Sequence, residues 1–368
     1  MKVILVAGAR PNFMKIAPLM HEFRKQKETG EGNFSPLLVH TGQHYDISMS
    51  QIFFDELGIP RPDINLEVGS HSHAKQTAAV MERFEDVCLR ERPDWVIVVG
   101  DVNSTMACTI VAAKMNIRVA HVEAGLRSFD RTMPEEINRL VTDALADLFL
   151  TPSKDADENL LREGAAPEKI KFVGNIMIDT LEANLAAARK KKAYRNYGLT
   201  AKQYVYITLH RPANVDDPVK LQAIMSILGD LSRTYPVIFP AHPRTRKKLS
   251  DMDYTAIAGN GLRIMEPVGY HDSISLLEQA KFVITDSGGL QEESSYLKVP
   301  CLTLRPNTER PVTVSQGSNR LTRIESLNED IESALNLSPD KLRIPELWDG
   351  NTARRIVTAL QNGKKPNE

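Results

Sequence analysis

Cysteine is scarce in this chain of 368 residues, and its three copies, Cys88, Cys108 and Cys301, lie far apart with no Cys-x-x-Cys pair. That argues against a disulfide scaffold or a thiolate zinc site and reads as buried or free thiols in a reducing compartment. Long apolar runs are missing too: none approaches the roughly 20 residues needed to span a bilayer. The first, Val3–Ala7, gives way at once to Gly8, Arg10 and Pro11. It is too short for a signal-peptide core and reads as a strand, so a cytoplasmic protein with no membrane partner is expected. Neither sign of charge prevails. With 46 basic and 47 acidic side chains the formal net charge is −1, which offers no basic field for nucleic acid. No Walker loop, Gly-x-Gly-x-x-Gly, His-Glu-x-x-His or Cys/His cluster is found, so no resident metal is expected. Two tempting pairs carry little: Asp251 and Asp253 follow a lysine-rich stretch, and His71 and His73 have no third ligand nearby.

What is present is apolar material, at 42%, and a steady alternation. Short β-branched runs (Val3–Ala7, Pro36–Thr41, Trp95–Val99, Arg118–Val122, Leu148–Thr151) alternate with helix-period stretches such as Ala74–Arg92, Ser104–Met115 and Glu135–Ala146. The alternation resumes with Tyr204–Leu209, Val237–Pro240, Arg263–Met265, Phe282–Thr285 and Cys301–Leu304. Continuous apolar strands fit parallel sheets buried on both faces, so the reading is α/β with two doubly wound, Rossmann-like domains. The expected division is 1–173 and 174–350, with a C-terminal helix in 351–368 able to pack back on the first domain.

Ligands of such sheets bind beyond the carboxyl ends of strands, and the chemically informative residues follow strands here. Gly8-Ala9-Arg10-Pro11 ends the first strand, with Lys15 a turn later: a helix start with two cations suits an anion, or is a plain turn. Asp286-Ser287-Gly288-Gly289 turns from a strand into a helix carrying Glu292 and Glu293. Two glycines admit a phosphate to the backbone, and a glutamate could accept from ribose hydroxyls; Asp286 would alternatively be a helix cap. Asp101 and Glu123 also follow strands, and Glu135 and Glu136 open a helix after Pro134. Singly each acid could be a cap or serve the helix dipole; several on one sheet edge suit acid–base work. His210-Arg211 and His242-Pro243-Arg244 follow two strands of the second half, as a diphosphate clamp or as structural hydrogen-bonders.

Together these strings resemble the non-hydrolysing UDP-N-acetylglucosamine 2-epimerases. The likeness runs in order from Met1 to about Arg320: Gly8–Leu19, HTGQH at His40–His44, GDVNST at Gly100–Thr105, HVEAGLRS at His121–Ser128, MPEEINR at Met133–Arg139 and VGN at Val173–Asn175. HRPANVDD at His210–Asp217, HPRT at His242–Thr245, TDSGGLQEE at Thr285–Glu293 and TERP at Thr308–Pro311 continue it. The resemblance implies a glycosyltransferase-B type fold with a central cleft. It implies interconversion of UDP-GlcNAc and UDP-ManNAc through elimination of UDP, by a homodimer with no cofactor. Asp101, Glu123, Glu135 and His210 match the family's catalytic candidates. Arg10, Lys15, Ser287, Gly288, Gly289, Glu293 and Arg310 match positions that hold UDP. Gln43, His44, Arg211 and His242 match residues that contact a second, activating substrate molecule in bacterial members. Pro212-Ala213 replaces the acidic or amide residue that commonly precedes Asn in its string, and Val268 and Ser273 stand where some members carry Gln and Phe near the uracil. The resemblance leaves open a 2-epimerase of a diacetamido-uronic UDP-sugar or a glycosyltransferase of the same fold.

Overall fold

The computed structural model describes residues 1–42, 58, 61–250 and 261–363. The chain divides into two compact units: Met1–Thr180 with the C-terminal segment from Glu346, and Leu181–Pro345. The division falls inside the helix Ile176–Lys191, a few residues beyond the junction expected at Val173. The start of that helix is tied into the first unit. Thr180 donates to the Met14 carbonyl, and the buried Asp179 carboxylate accepts from the backbone N–H groups of Thr352 and Ala353 at 3.1 and 2.7 Å. Asp179 thus caps the C-terminal helix Thr352–Asn362, whose own flanking residue Asn351 makes no side-chain cap.

In the first unit seven strands are described: β1 (Lys2–Ala7), β2 (Ser35–His40), β3 (Ile64–Asn65), β4 (Trp95–Val99), β5 (Arg118–Val122), β6 (Leu148–Thr151) and β7 (Ile170–Phe172). They pair in parallel in the order β3-β2-β1-β4-β5-β6-β7. Six are described in the second: β8 (Val205–Thr208), β9 (Val237–Pro240), β10 (Leu262–Met265), β11 (Phe282–Thr285), β12 (Cys301–Leu304) and β13 (Asn319–Thr322). Their order is β10-β9-β8-β11-β12-β13, again parallel. Each unit is therefore doubly wound, with the direction of winding reversing between its first and fourth strands.

Central strands are uniformly buried because both faces are covered: Trp95–Val99 and Phe282–Thr285 are buried throughout. Val96, Val98, Phe84, Ala107 and Val111 share one core of the first unit, and Ile207, Phe239, Ile284, Ile224 and Leu228 one of the second. Each of these valine, leucine, isoleucine and phenylalanine side chains contributes about 1.5–3 kcal/mol on burial. Cys88, Cys108 and Cys301 are free and buried, and burial pushes the Cys88 and Cys301 thiols up to about 12 and about 11. Among the described residues no helix is long and apolar enough to cross a membrane, and no group of three potential metal ligands occurs.

The Asp179 cap gives a direct test. Asp179→Ala should lower stability in urea by about 0.5–2 kcal/mol, the usual range for a lost cap, and open Thr352–Asn362 to proteolysis. An unchanged midpoint and cleavage pattern would contradict the role given to Asp179.

Candidate active site

At the carboxyl edge of the first sheet three strand ends converge on one buried ion pair. Lys15, on the helix Arg10–Thr29 that follows β1, donates to Glu123 just past β5, with Nζ 2.5 Å from Oε2. Both side chains are almost wholly buried. Between them runs Gly100, at the end of β4: a Cβ there would lie 2.7 Å from the Lys15 Nζ and 3.6 Å from the Glu123 Oε2. Glycine is required by that approach and by a φ of +66°. Asn12 completes the junction, its Oδ1 accepting from the N–H groups of Gly8 and Ala9 and its Nδ2 donating to the Val99 carbonyl. Arg10 is the first residue of the helix.

Glu123 is strained. Its φ is +71°, a left-handed backbone that costs a non-glycine residue roughly 1–3 kcal/mol and that clusters at functional sites. Its second oxygen, Oε1, is buried with no hydrogen-bond partner among the described residues. Asp101, beside Gly100, does not cap the helix Asn103–Lys114; Val102 occupies the cap position. Its carboxylate is about one-third exposed and is held by Arg139, with Nη2 and Nε 3.1 and 3.2 Å from Oδ2. Glu135 stands apart. It is exposed in the first turn of the helix Pro134–Leu145, and among the described residues no hydrogen bond or ion pair joins it to Asp101 or Glu123. Its neighbour Glu136 turns inward, accepting from Arg139 at 2.5 Å and from the backbone of Ser128 and Phe129 at 2.9 Å. Burial alone would push the Glu136 carboxyl up; Arg139 and Ser128 outweigh it and hold the group below the usual range.

In the second unit the hub is Asp286, a residue read from sequence as a possible helix cap. Ser287 takes the cap position of the helix Gly288–Tyr296, and Asp286 reaches across the sheet edge instead. Its carboxylate accepts from the backbone N–H groups of His210 and Arg211, from Asn214 Nδ2, and from His210 Nδ1 at 3.0 Å. Burial opposes ionisation of Asp286, but His210, Asn214 and the Arg211 backbone hold it below the usual carboxylate range. With Nδ1 engaged, His210 keeps Nε2 on a half-exposed ring. The Arg211 Nε donates to the Asp286 carbonyl at 3.0 Å, and His242 is exposed after β9. Gln43 and His44 lie outside the described residues.

Arg310 packs against the glycine turn, since a Cβ on Gly288 would lie 2.8 Å from its Nη1. It pairs with Glu292 at 2.6 Å and with Glu309, which Arg305 also binds at 2.8 Å. Against the burial cost, Arg310 and Arg305 drive the Glu309 carboxyl far below its ordinary value. The unspent positive potential at this edge therefore comes largely from the helix start at Ser287–Gly289. Glu293 is different again: burial pushes its carboxyl up to about 7, against a hydrogen bond from Tyr270 at 3.2 Å and with the Glu292 charge adding to the rise.

The model of the UDP-N-acetylglucosamine 2-epimerase family matches residues 26–361. The chain belongs to the UDP-N-acetylglucosamine 2-epimerase family. A relative from Methanococcus maripaludis, named UDP-N-acetylglucosamine 2-epimerase, is 40% identical over 99% of this chain and 100% of its own. The UDP-2,3-diacetamido-2,3-dideoxy-D-glucuronate 2-epimerase of Pseudomonas aeruginosa is 39% identical over 87% of this chain and 88% of its own. The crystal structure of Methanocaldococcus jannaschii UDP-GlcNAc 2-epimerase in complex with UDP-GlcNAc and UDP matches at a TM-score of 0.88 and 40% identity, covering 99% of this chain and 100% of that one. The fold is thus that of the 2-epimerases, of glycosyltransferase-B type.

Sequence reasoning passed over Asn12 and Arg139, and named Asp286 and Glu136 without their partners. Asp286 and Glu136 carried a signal, an acid at a strand or helix end, but not its direction.

Glu293 offers a pH test. A carboxyl raised in the fold contributes its stability fully below about pH 4.5, and loses it as pH rises through about 7. Relative to wild type, Glu293→Gln should therefore gain stability between pH 5 and 8, by at most about 1.4 kcal/mol per pH unit. A difference that stays flat across that range in urea unfolding would contradict the protonated, buried state.

Proposed function

We propose that this chain inverts C2 of UDP-N-acetylglucosamine, interconverting it with UDP-N-acetylmannosamine by elimination and re-addition of UDP. The observation that carries the reading is the strained, buried Glu123 and its neighbour Asp101, two carboxylates flanking Gly100 in a member of the 2-epimerase family.

The C2 proton of a pyranose is not acidic, for no carbonyl adjoins it. It becomes removable as positive charge develops at C1. The C1–O bond breaks with its electron pair passing to the β-phosphate of UDP, a carboxylate takes the C2 proton, and the C1–C2 double bond of 2-acetamidoglucal forms. Re-addition reverses each step, with the proton delivered to the opposite face of C2. Two acid–base groups are therefore required, one for each face of C2. Asp101 and Glu123 are our assignment, with Glu135 as a third group brought in when substrate binds. The backbone N–H groups at Gly288 and Gly289 and the Ser287 hydroxyl, with His210 and Arg310, would stabilise the departing diphosphate. Glu293 would meet the ribose, and Arg10 and Lys15 the phosphates. Neither hydride transfer nor a Lewis acid is needed in this sequence of steps.

The nearest second reading is the diacetamido-uronic substrate, favoured by one observation: the Pseudomonas aeruginosa relative is almost as similar as the Methanococcus maripaludis one. The C2 chemistry is the same; the substituents at C3 and C6 differ.

Incubation in deuterated water with NMR at C2 tests the proposal. Wild type should take up one deuterium at C2 as the manno epimer appears. Asp101→Asn should slow that uptake by about 10²–10⁴-fold, the usual worth of a general acid–base group, while leaving UDP affinity nearly unchanged. Full exchange in the variant removes Asp101 from the mechanism. Retained protium with acceptor-dependent loss of sugar identifies a transferase, and exchange confined to the diacetamido-uronic sugar establishes the second reading.

A further inference from the structure

The helix Pro134–Leu145 is built inside out. Its buried residues are Glu136, Asn138, Arg139, Thr142 and Asp143, all polar or charged, while Ile137 and Leu145 are exposed. A polar inward face is costly unless every group is satisfied, so the helix is not there to complete an apolar core. Apart from Thr142, whose hydroxyl has no hydrogen-bond partner among the described residues, its inward side chains are spent on the loops that carry the carboxylates. Asn138 Nδ2 donates to the Asp101 carbonyl at 2.9 Å, and Arg139 grips the Asp101 carboxylate.

One turn further on, Asp143 meets His121 on β5, and both are buried. His121 Nδ1 lies 2.6 Å from Asp143 Oδ1, and its Nε2 lies 2.8 Å from the Gly100 carbonyl. A carbonyl only accepts, so Nε2 carries a hydrogen; with Asp143 ionised, Nδ1 donates as well. The other Asp143 oxygen accepts from the Gly125 N–H at 3.0 Å and from Arg127 at 2.7 Å. Burial opposes that ionisation, but His121, Arg127 and the Gly125 N–H hold Asp143 below the usual carboxylate range. Arg127 is secured in turn by Glu163 at 2.6 Å.

The two backbone groups held in this way are the carbonyl immediately before Asp101 and the N–H two residues after Glu123. Gly100, Glu123 and Gly125 all have left-handed φ, at +66°, +71° and +78°; the two glycines adopt it freely, whereas Glu123 does so at a cost. We infer that His121 and Asp143 form a positioning pair that locks the two strand-end turns carrying Asp101 and Glu123. The inference rests on the reading of those carboxylates as the proton-transfer groups. Neither His121 nor Asp143 handles a substrate proton; they act through the backbone.

Two substitutions separate positioning from mere packing. His121→Asn keeps a donor at the Nδ1 position for Asp143 and loses the one facing Gly100; His121→Gln places its amide donor at the Nε2 position. Asn should lower kcat for C2 exchange by about 10²-fold, the scale of a displacement of about 1 Å in a reacting group, with KM and UDP affinity nearly unchanged. Gln should restore about tenfold of that loss. A second readout is independent of catalysis. In His121→Asn, amide hydrogen exchange at Gly100, Glu123 and Gly125, whose N–H groups are all paired, should quicken about tenfold or more, while β11 stays protected. Equal kcat in both variants and wild type would overturn the proposal, as would losses in kcat and UDP affinity that move together. If wild type itself exchanges nothing at C2, the functional reading fails, and the amide exchange alone decides whether the pair locks the turns. Unchanged protection there would overturn the positioning role.

Discussion

The first unit depends on one buried contact, the ammonium of Lys15 against the carboxylate of Glu123. It joins the helix after β1 to the end of β5 across the glycine that ends β4, so three strand ends are fixed by one pair. Removing one partner of such a pair typically costs about 3–5 kcal/mol, because the other charge is left buried alone. The arrangement leaves one glutamate oxygen buried and unpartnered, on a backbone held in an unfavourable conformation. Strain and desolvation of this kind cost stability and cluster at functional sites.

The second unit meets the same need with different residues. Its strand order reverses between β8 and β11, and Asp286 ties the two strand ends together as Asn12 ties β1 to β4. No repeat is visible in the sequence, yet both units place these buried polar junctions at the reversal point of a parallel sheet. The shared constraint is topological: loops that leave a sheet in opposite directions open a crevice that carbonyls and helix starts can line. What differs is the pairing, a lysine against a glutamate in one unit and an aspartate against an imidazole, beside a helix start, in the other.

Much of this was legible from residues alone. The central strands were readable because burial on both faces demands continuous apolar runs, as in Trp95–Val99 and Phe282–Thr285. Three of the four edge strands, Ile64–Asn65, Ile170–Phe172 and Asn319–Thr322, were not, since an edge tolerates lysine, arginine and asparagine and so loses the pattern. Side-chain direction was also hidden. Glu135 and Glu136 differ by one position, about 100° around a helix, and only packing decides that Glu136 points inward. Asp286 gave the right chemistry and the wrong partner: an acid after a strand accepts backbone N–H groups either in its own helix or from a neighbouring loop. The helix Pro134–Leu145 was legible as Glu135–Ala146, but its inversion was not, because its periodicity is amphipathic and sequence does not say which face is buried.

The central claim is that C2 is inverted only while the C1–O bond is broken. Positional isotope exchange tests it most directly, with UDP-N-acetylglucosamine carrying ¹⁸O in the bridge between C1 and the β-phosphorus. Free rotation of the released phosphate should move the label to non-bridging positions at least as fast as the manno epimer forms. Epimer that accumulates with the label still in the bridge would mean that the bond never breaks, and would contradict the account.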